Sequence, residues 1–294
     1  MNRVLYALIP ITFFSVFLFG WRVIAVLTVA NLCAFLTEYL FIRNRKGGKV
    51  SMAVFVTGSL LALSLPPTIP LWIAAVGAVV AVAFGKMVFG GFGMNVFNPA
   101  IVGRIFIYIS FPNAMTVRWL TPFSRFPGGF SVWQNKTLLT AATPMIELKK
   151  NGIIPDFTDI FTGLIPGSMG ETSAILILLA ALFLIITKTA KWQAMLSTFI
   201  SFNIFAIIFY QQLPFTYLFS GAILFGIVFM VTDPVSMPKN KTAVWIYGAL
   251  IGMLTVFIRK LSLFTGAFGF AVLITNTFMP IIEFGLNKRK AGRS

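Results

Sequence analysis

Two threonines in a small-residue turn are the side chains whose type and surroundings best fit covalent chemistry. The segment reads Thr140-Ala141-Ala142-Thr143 and is followed by Pro144. The alanines leave the Thr143 hydroxyl sterically open, and the proline favours an extended or turn conformation for the residue before it. Such a hydroxyl could hold a covalently attached cofactor. On local sequence alone, however, a threonine in this setting is far more often an ordinary loop residue.

A second group of candidates combines side-chain amides with a run of glycines. Residues 85–100 are rich in glycine and include Asn95 and Asn98. Glycines let a backbone approach a flat ligand or another helix closely, so a re-entrant or helix-packing turn also explains them. Amides near the membrane interior need partners, which could be a ring carbonyl or a cation. Asp233 is a further candidate, either as a cofactor contact or as a helix-end cap.

Few ionisable residues occur in or near the apolar stretches. They are Glu38, Lys86, Arg104, Asp233 and Glu283. Each is unfavourable in hydrocarbon unless it is paired, hydrated or at an interface. Lys86 is expected to extend its ammonium toward the interface, and Glu283 is close enough to the end of its stretch to be hydrated. Glu38 lies several residues inside its stretch, so it is the candidate for an ion or proton pathway.

The composition identifies an integral membrane protein. Hydrophobic residues make up 58% of the chain and charged residues only 10%, whereas a soluble domain carries about 25% charged residues. There is no histidine and one cysteine, Cys33, which effectively excludes protein-ligated iron–sulfur clusters, His-ligated haem and Cys/His zinc sites. The net charge of +16 is not accompanied by a nucleic-acid-binding motif, so nucleic acid is not an expected partner. Any redox chemistry must therefore rely on an organic cofactor.

Recurrent apolar stretches near 20 residues long predict an all-α protein with about ten transmembrane helices. The predicted spans are 5–20, 22–42, 51–65, 70–89, 95–111, 173–187, 192–210, 215–232, 242–258 and 262–284. Basic residues concentrate in alternate connections, which places those connections and both termini in the cytoplasm. Arg22, Arg259 and Lys260 fall on the opposite side, but they are outvoted.

The same orientation places the long connection, residues 112–172, outside the membrane. A connection of about 60 residues exceeds what joining two helices requires, so we expect it to be functional. It separates a first five-helix repeat, residues 1–111, from a second repeat with a basic cytoplasmic tail, residues 173–294. An odd number of spans in each half makes the two repeats inverted. Asn98 and Asp233, each followed by proline, are a faint echo of this duplication.

Several segments, in the same order, resemble the RnfD and NqrB family, with RnfD the closer match. They are Val56–Pro67, Gly85–Ala100 continuing through Val102-Gly103-Arg104, Ile165–Ser173 and Thr232–Ser236. The GGxGxNxFNPA pattern within the second segment is specific in a membrane protein, and the resemblance runs over nearly the whole chain.

The resemblance implies a covalently attached FMN. In the family, a flavin transferase joins FMN through a phosphoester to the last Thr of a Ser/Thr-Gly-Ala-Thr motif. That position is Thr143 in this sequence, with Thr140 in the first slot. Ala141 stands where glycine is usual, and Thr137 stands where an aspartate commonly leads the motif. A second, noncovalent flavin (riboflavin or FMN) is implied as well, without assigned residues.

The resemblance also implies the setting in which such flavins would work. It points to a membrane subunit of an Rnf-type ferredoxin:NAD oxidoreductase in the bacterial cytoplasmic membrane, without a complete active site of its own. With other membrane and soluble subunits, it would pass electrons through FMN and couple them to Na⁺ or H⁺ movement. The implied fold is a pair of inverted five-helix repeats, similar to urea channels. An NqrB-like subunit, an extracytosolic electron-export subunit, a non-redox channel or transporter, and an assembly scaffold remain as alternatives.

Overall fold

The computed structural model shows a bundle of helices joined by short turns and one long connection. It describes residues 1–45, 48–117, 119–134, 138–139, 157–171, 173–210, 223–262 and 266–291. In chain order, the helices are α1 (Asn2–Phe19), α2 (Arg22–Ile42), α3 (Ala53–Leu63), α4 (Leu71–Val82), α5 (Pro99–Ser110), α6 (Pro112–Thr116), α7 (Phe157–Thr162), α8 (Ala174–Ile186), α9 (Trp192–Tyr210), α10 (Ile223–Phe225), α11 (Lys241–Leu261) and α12 (Ala267–Ala291).

Within this part of the chain, five helices are long and apolar enough to cross a hydrocarbon layer ~30 Å thick. They are α1, α2, α9, α11 and α12. The shorter apolar helices α3, α4, α5 and α8 pack against them. This arrangement confirms the prediction of a multi-pass helical membrane protein. Nine of the predicted spans overlap these helices, whereas the span 215–232 is described only from residue 223 onward.

The helices of the first half are held together by close backbone contacts. α2 packs against both α3 and α4, and α4 packs against α5. A β-carbon at Gly103 of α5 would lie 2.5 Å from the carbonyl oxygen of Gly77 and 2.8 Å from the β-carbon of Ala81, both on α4. Small residues allow membrane helices to approach this closely, which lets dispersion contacts and backbone contacts replace the hydrophobic effect in lipid.

In the second half, α9 and α11 form a seam of small residues. On α11, Gly248 and Gly252 lie one turn apart, opposite Ser197 and Ser201 of α9. The Ser197 hydroxyl donates a hydrogen bond to the carbonyl oxygen of Trp245 at 2.5 Å, and Ser201 donates to that of Ala249 at 2.7 Å. The glycines permit the approach, and the serines add hydrogen bonds between the helices.

Two π-helical turns interrupt the regular helices. The first, Ala83–Met87, extends α4, and the second, Gly226–Met230, follows α10. After the first turn the chain is not helical until Pro99, the first residue of α5. The predicted span 95–111 therefore begins too early, because Asn98 caps α5 and a proline is favoured at the first helical position. π-Turns recur at functional sites.

The long connection packs against the ends of α1 and α2. It contains α6, α7, a 3₁₀ turn at Gly128–Ser131, and two-residue strands β1 (Trp119–Leu120) and β2 (Leu138–Leu139) in an antiparallel ladder. The indole N–H of Trp21 donates to the Phe130 carbonyl oxygen at 2.9 Å. A β-carbon at Gly129 would lie 2.5 Å from the backbone nitrogen of Gly20. This part of the connection is therefore seated on the α1–α2 turn.

The final part of the connection folds back onto the end of α3. The backbone N–H of Met169 donates to the Leu65 carbonyl oxygen at 3.1 Å, and that of Gly170 donates to the Leu63 carbonyl oxygen at 2.7 Å. The Ser15 hydroxyl of α1 also donates to the Met169 carbonyl oxygen. α3 has only 11 residues, or about 16 Å. The returning segment satisfies carbonyl groups that the short helix leaves without partners.

The basic residues that disagreed with the predicted orientation are explained by their contacts. The Arg22 guanidinium donates to the carbonyl oxygens of Pro67 at 3.1 Å and Ile69 at 2.7 Å, so it fastens the turn between α3 and α4. The Arg259 side chain is buried between helices and interacts electrostatically with Glu171. These charges are used inside the fold, so they do not report on orientation as loop charges do.

Candidate functional site

Asn95, Asn98 and Asp233, which the sequence analysis selected separately, line a single cavity of about 250 Å³. The two Asx-Pro segments therefore come together, one from each half of the chain. The rest of the wall is mostly apolar, with a few polar groups. Among these other lining residues are Thr57, Lys86, Phe92, Thr189, Phe229 and Thr232. An apolar enclosure with a few convergent polar groups is the usual character of a small-molecule site.

Asn98 joins the two halves at the cavity wall. Its side-chain oxygen accepts hydrogen bonds from the backbone N–H groups of Ala100 at 3.0 Å and Ile101 at 3.3 Å. Its side-chain nitrogen donates to the carbonyl oxygen of Met230 at 3.1 Å, at the end of the second π-turn. Both lone pairs of the amide oxygen are thus in use. Asn98 acts first as a helix cap and a link between segments, with one N–H left for a ligand.

Asn95 is less committed than Asn98. Its side-chain nitrogen donates to the Phe97 carbonyl oxygen at 3.0 Å. Within the described part of the chain, its side-chain oxygen accepts no hydrogen bond, although the residue is buried. A buried amide with spare hydrogen-bonding capacity at a cavity wall is suited to orienting a polar ligand edge.

Asp233 lies in the turn that follows the second π-helical segment. One carboxylate oxygen accepts from the backbone N–H of Val235 at 3.3 Å, and the other accepts from the Ser236 hydroxyl at 2.9 Å. Burial raises the pKa of this carboxyl, while the hydrogen bonds act in the opposite direction. The side chain therefore organises its own turn and also contributes polar character to the cavity wall.

Glu38, predicted as the ion-pathway residue, is part of a buried polar cluster with Lys86 and Ser51. The Lys86 ammonium lies 2.7 Å from a Glu38 carboxylate oxygen and 2.6 Å from the Ser51 hydroxyl oxygen. The other Glu38 oxygen accepts from the Ser51 backbone N–H at 3.1 Å and from its hydroxyl at 3.0 Å. Both charged side chains are at most 3% exposed.

The expectation that Lys86 extends to the interface is wrong. Its position in the π-turn places the ammonium against α2, where Glu38 offers a charged partner. Lys86 also lines the cavity, and sequence reasoning missed it as a site residue. The available signal was that Glu38 and Lys86 are opposite charges in apolar stretches, each needing a partner. Nothing local pairs residues 48 positions apart.

The cavity lies at the opposite end of α1 from the seated connection. It is lined by Met1 and by Thr189 of the α8–α9 turn, whereas the other end of α1 contacts Gly129. α1 has 18 residues, so these ends are about 27 Å apart. Thr140 and Thr143 lie outside the described residues.

Comparison with known proteins gives a consistent assignment. Residues 1–292 match the family described as NQR2, RnfD, RnfE. One relative is a membrane component of the Na(+)-translocating NADH-quinone reductase of Chromohalobacter salexigens. It is 37% identical over 262 residues, covering 84% of this chain and 61% of the relative. The chain therefore spans about three-fifths of that relative's length.

Another relative is similar over nearly its whole length. It is a component of the ion-translocating oxidoreductase complex of Actinobacillus succinogenes, 32% identical over an alignment of 330 positions, covering 99% of this chain and 93% of the relative. Its namesake from Stutzerimonas stutzeri is also 32% identical, covering 100% of this chain and 92% of the relative. With the match over residues 1–292, these similarities show that the chain belongs to the NQR2, RnfD, RnfE family.

Proposed function

We propose that this chain is a flavin-carrying membrane subunit of an Rnf-type ion-translocating oxidoreductase. The observation that carries the proposal is the meeting of the two Asx-Pro segments at one cavity, in a family member that lacks histidine. The names of the relatives support the reaction class. Electron transfer requires a rigidly held cofactor rather than a nucleophile or general base, which agrees with the side chains present.

The first flavin of this proposal is FMN attached to Thr143 through a phosphoester, with Thr140 in the same motif. Its support is the motif and the seating of the described flank of the connection on α1 and α2. When bound, the isoalloxazine ring supplies the electron-accepting chemistry. A covalent tether would prevent loss of the cofactor outside the cytoplasm, and a flavin transferase would install it.

The second flavin of the proposal, riboflavin or FMN, occupies the cavity. A volume of about 250 Å³ is below the usual range of about 300–1,000 Å³ for ligand sites. The cavity would therefore enclose the flat ring and leave the ribityl chain at its mouth. Asn95 would orient a polar edge of the ring, and Phe92 and Phe229 would provide apolar contact. Asn98 and Asp233 would hold the two turns that shape the wall.

The membrane arrangement of the proposal is two inverted five-helix repeats, with both termini on the cytoplasmic side of a bacterial inner membrane. Its support is that the α1 N-terminus, the α8–α9 turn and the α10–α11 turn all line the cavity. Basic residues cluster in the connections at this end, as the positive-inside rule expects for a cytoplasmic face. The connection carrying Thr143 would then be external, and the two flavins would serve opposite faces.

Coupling to Na⁺ or H⁺ movement is the last element of the proposal. Glu38 is the candidate pathway residue, since it is a buried carboxylate within α2. Coupling would require an element with two arrangements that flavin reduction biases differently. The π-turn carrying Lys86 is suited to this role, because it connects Glu38 to the cavity.

In-gel flavin fluorescence tests the covalent part of the proposal. The native chain, produced with its flavin transferase, should give a fluorescent band after denaturation, and Thr143→Ala should abolish it. Thr121→Ala, in the described part of the same connection, is the matched control and should remain fluorescent. A dark native band would contradict the covalent assignment and favour a non-redox channel or a scaffold.

A further inference from the structure

Lys86 places a positive charge at the wall of the cavity without being exposed to solvent. Its side chain is about 2% exposed, and it lines the cavity with Asn95 and Phe92. The ammonium lies 5.7 Å from the centre of the Phe92 ring. Charges in a water-poor environment act more strongly on a nearby ligand than charges on a hydrated surface, because the effective dielectric constant is lower.

The position of this ammonium is fixed by its neighbours. Glu38 and Ser51 each accept one of its hydrogen bonds, at 2.7 and 2.6 Å. A lysine ammonium carries three N–H donors, so one remains for a ligand. Ser51 also donates two hydrogen bonds to Glu38, which orients the carboxylate. The ammonium is thus held in place before any ligand arrives, so little reorganisation is needed.

We propose that Lys86 sets the charge preference of the cavity, so that a bound flavin is held more tightly in its reduced, negatively charged form. This inference rests on the flavin-carrying function proposed above. Reduction adds electrons to the ring, and any charge not balanced by proton uptake remains there as negative charge. Lys86 stabilises that charge through space and keeps its own proton. Glu38 and Ser51 are positioning residues, because they act on the flavin through Lys86.

The balance of charges around the cavity gives this proposal a sign. Glu38 partly neutralises Lys86 but does not itself line the cavity, whereas Lys86 does. Asp233, on the same wall, is already engaged by Ser236 and Val235. Removing the ammonium should therefore disfavour the reduced flavin, and removing the Glu38 charge should favour it. A purely structural ion pair would give no such opposition of sign.

The test measures the midpoint potential of riboflavin bound to the full-length chain in lipid nanodiscs. All proteins carry Thr143→Ala, so that no covalent flavin contributes to the spectrum. Dithionite, acting through redox mediators, supplies the electrons during the titration. Lys86→Met is compared with Lys86→Arg, Glu38→Gln and the double variant Lys86→Met/Glu38→Gln. Lys241→Met is the matched control, because Lys241 is an exposed lysine that follows the turn lining the cavity.

The expected result is an ordered series of potentials. Lys86→Met should lose at least tenfold of the preference for reduced over oxidised riboflavin, a fall of about 30 mV for a two-electron couple. The double variant should fall by less, because it leaves no unbalanced carboxylate, and Glu38→Gln should rise. Lys86→Arg and Lys241→Met should remain near the parent value.

Two results would count against the proposal, and they are distinguishable. If the parent chain binds riboflavin but Lys86→Met and the double variant both match Lys241→Met, then Lys86 does not set the potential, while the flavin site stands. If the parent chain binds no riboflavin, the assignment of the cavity fails and this inference fails with it. Should Lys86→Met not fold, the double variant gives the answer, because it removes both buried charges together.

Discussion

The molecule contains two buried ion pairs that differ in what surrounds them. Lys86 and Glu38 are 2.7 Å apart at the wall of the cavity, at the end where α1 begins. Arg104 and Glu171 are 2.5 Å apart and join α5 to the segment that folds back onto the end of α3. Neither member of the second pair lines the cavity.

The chemistry of each pair matches its surroundings. Arg104 presents two nitrogens to the two oxygens of Glu171, at 2.5 and 3.5 Å, and Arg259 adds a second positive charge nearby. A guanidinium fork of this kind fixes geometry. Lys86 is a point charge with an N–H to spare beside open space. The comparison indicates that one pair fastens the external connection, whereas the other can respond to a ligand.

The largest expected effect comes from Glu171→Gln. This change leaves Arg104 and Arg259 facing each other without a carboxylate, so the free energy of unfolding should fall by about 3–5 kcal/mol. Denaturant titration in detergent micelles measures the loss. Asp159→Asn is the matched control, since Asp159 is an exposed acid in the same connection. Equal stabilities for the two variants would remove the fastening role.

Lys86→Met should destabilise somewhat less, by about 3 kcal/mol, at the lower end of the range for broken buried pairs. The adjoining cavity can admit water to the Glu38 carboxylate that remains. The double variant Lys86→Met/Glu38→Gln should recover most of the loss, because no buried charge is left without a partner. The same denaturant titration checks both variants. A double variant no more stable than Lys86→Met would show that the charges are not the cause.

Ser51→Ala tests how firmly the first pair is held. It removes the hydroxyl that bonds both Lys86 and Glu38, and hydrogen bonds to charged groups contribute about 1.5–3 kcal/mol. Unfolding measurements should show a loss in that range. Thr28→Ala is the control, because the Thr28 hydroxyl is exposed and bonds only the Ile24 carbonyl oxygen of its own helix. A loss no larger than that of the control would mean that the cluster tolerates slack.

Phe92→Leu should have the smallest effect, about 0.5–1 kcal/mol, from loss of the cation–π contact with Lys86. The contact is weak because the ring is 52% exposed. Phe84→Leu, at a phenylalanine that is 64% exposed, corrects for lost apolar area. The difference between the two free energies of unfolding is the measured quantity. A difference of zero would leave Phe92 with a purely cavity-lining role.

Hydropathy predicted the helices well and the pairing of side chains poorly. The predicted spans 22–42 and 192–210 coincide with α2 and α9, because long apolar runs have few alternatives in lipid. Glu38 was recognised as unusual, but Lys86 was misinterpreted. Its partner is 48 residues away, and the π-turn that directs it inward leaves no mark in the hydrophobic pattern.

The cavity shows a similar division. Asn95, Asn98 and Asp233 were selected for their chemistry, and their convergence around one space required the three-dimensional structure. The dual role of Asn98, as a cap on α5 and a link to Met230, could not be read from its neighbours in sequence. Arg22 and Arg259 were counted against the predicted orientation because a count of loop charges does not distinguish hydrated arginines from those engaged within the protein.

The seam between α9 and α11 limits how this protein could change shape. Its two interhelical serine bonds and its glycine contacts would all be lost if the helices separated by even a few ångströms. These two helices should therefore travel as one rigid block during any working cycle. Rearrangement would be left to the looser surroundings of the π-turns, so motion and electron transfer would meet at the same place.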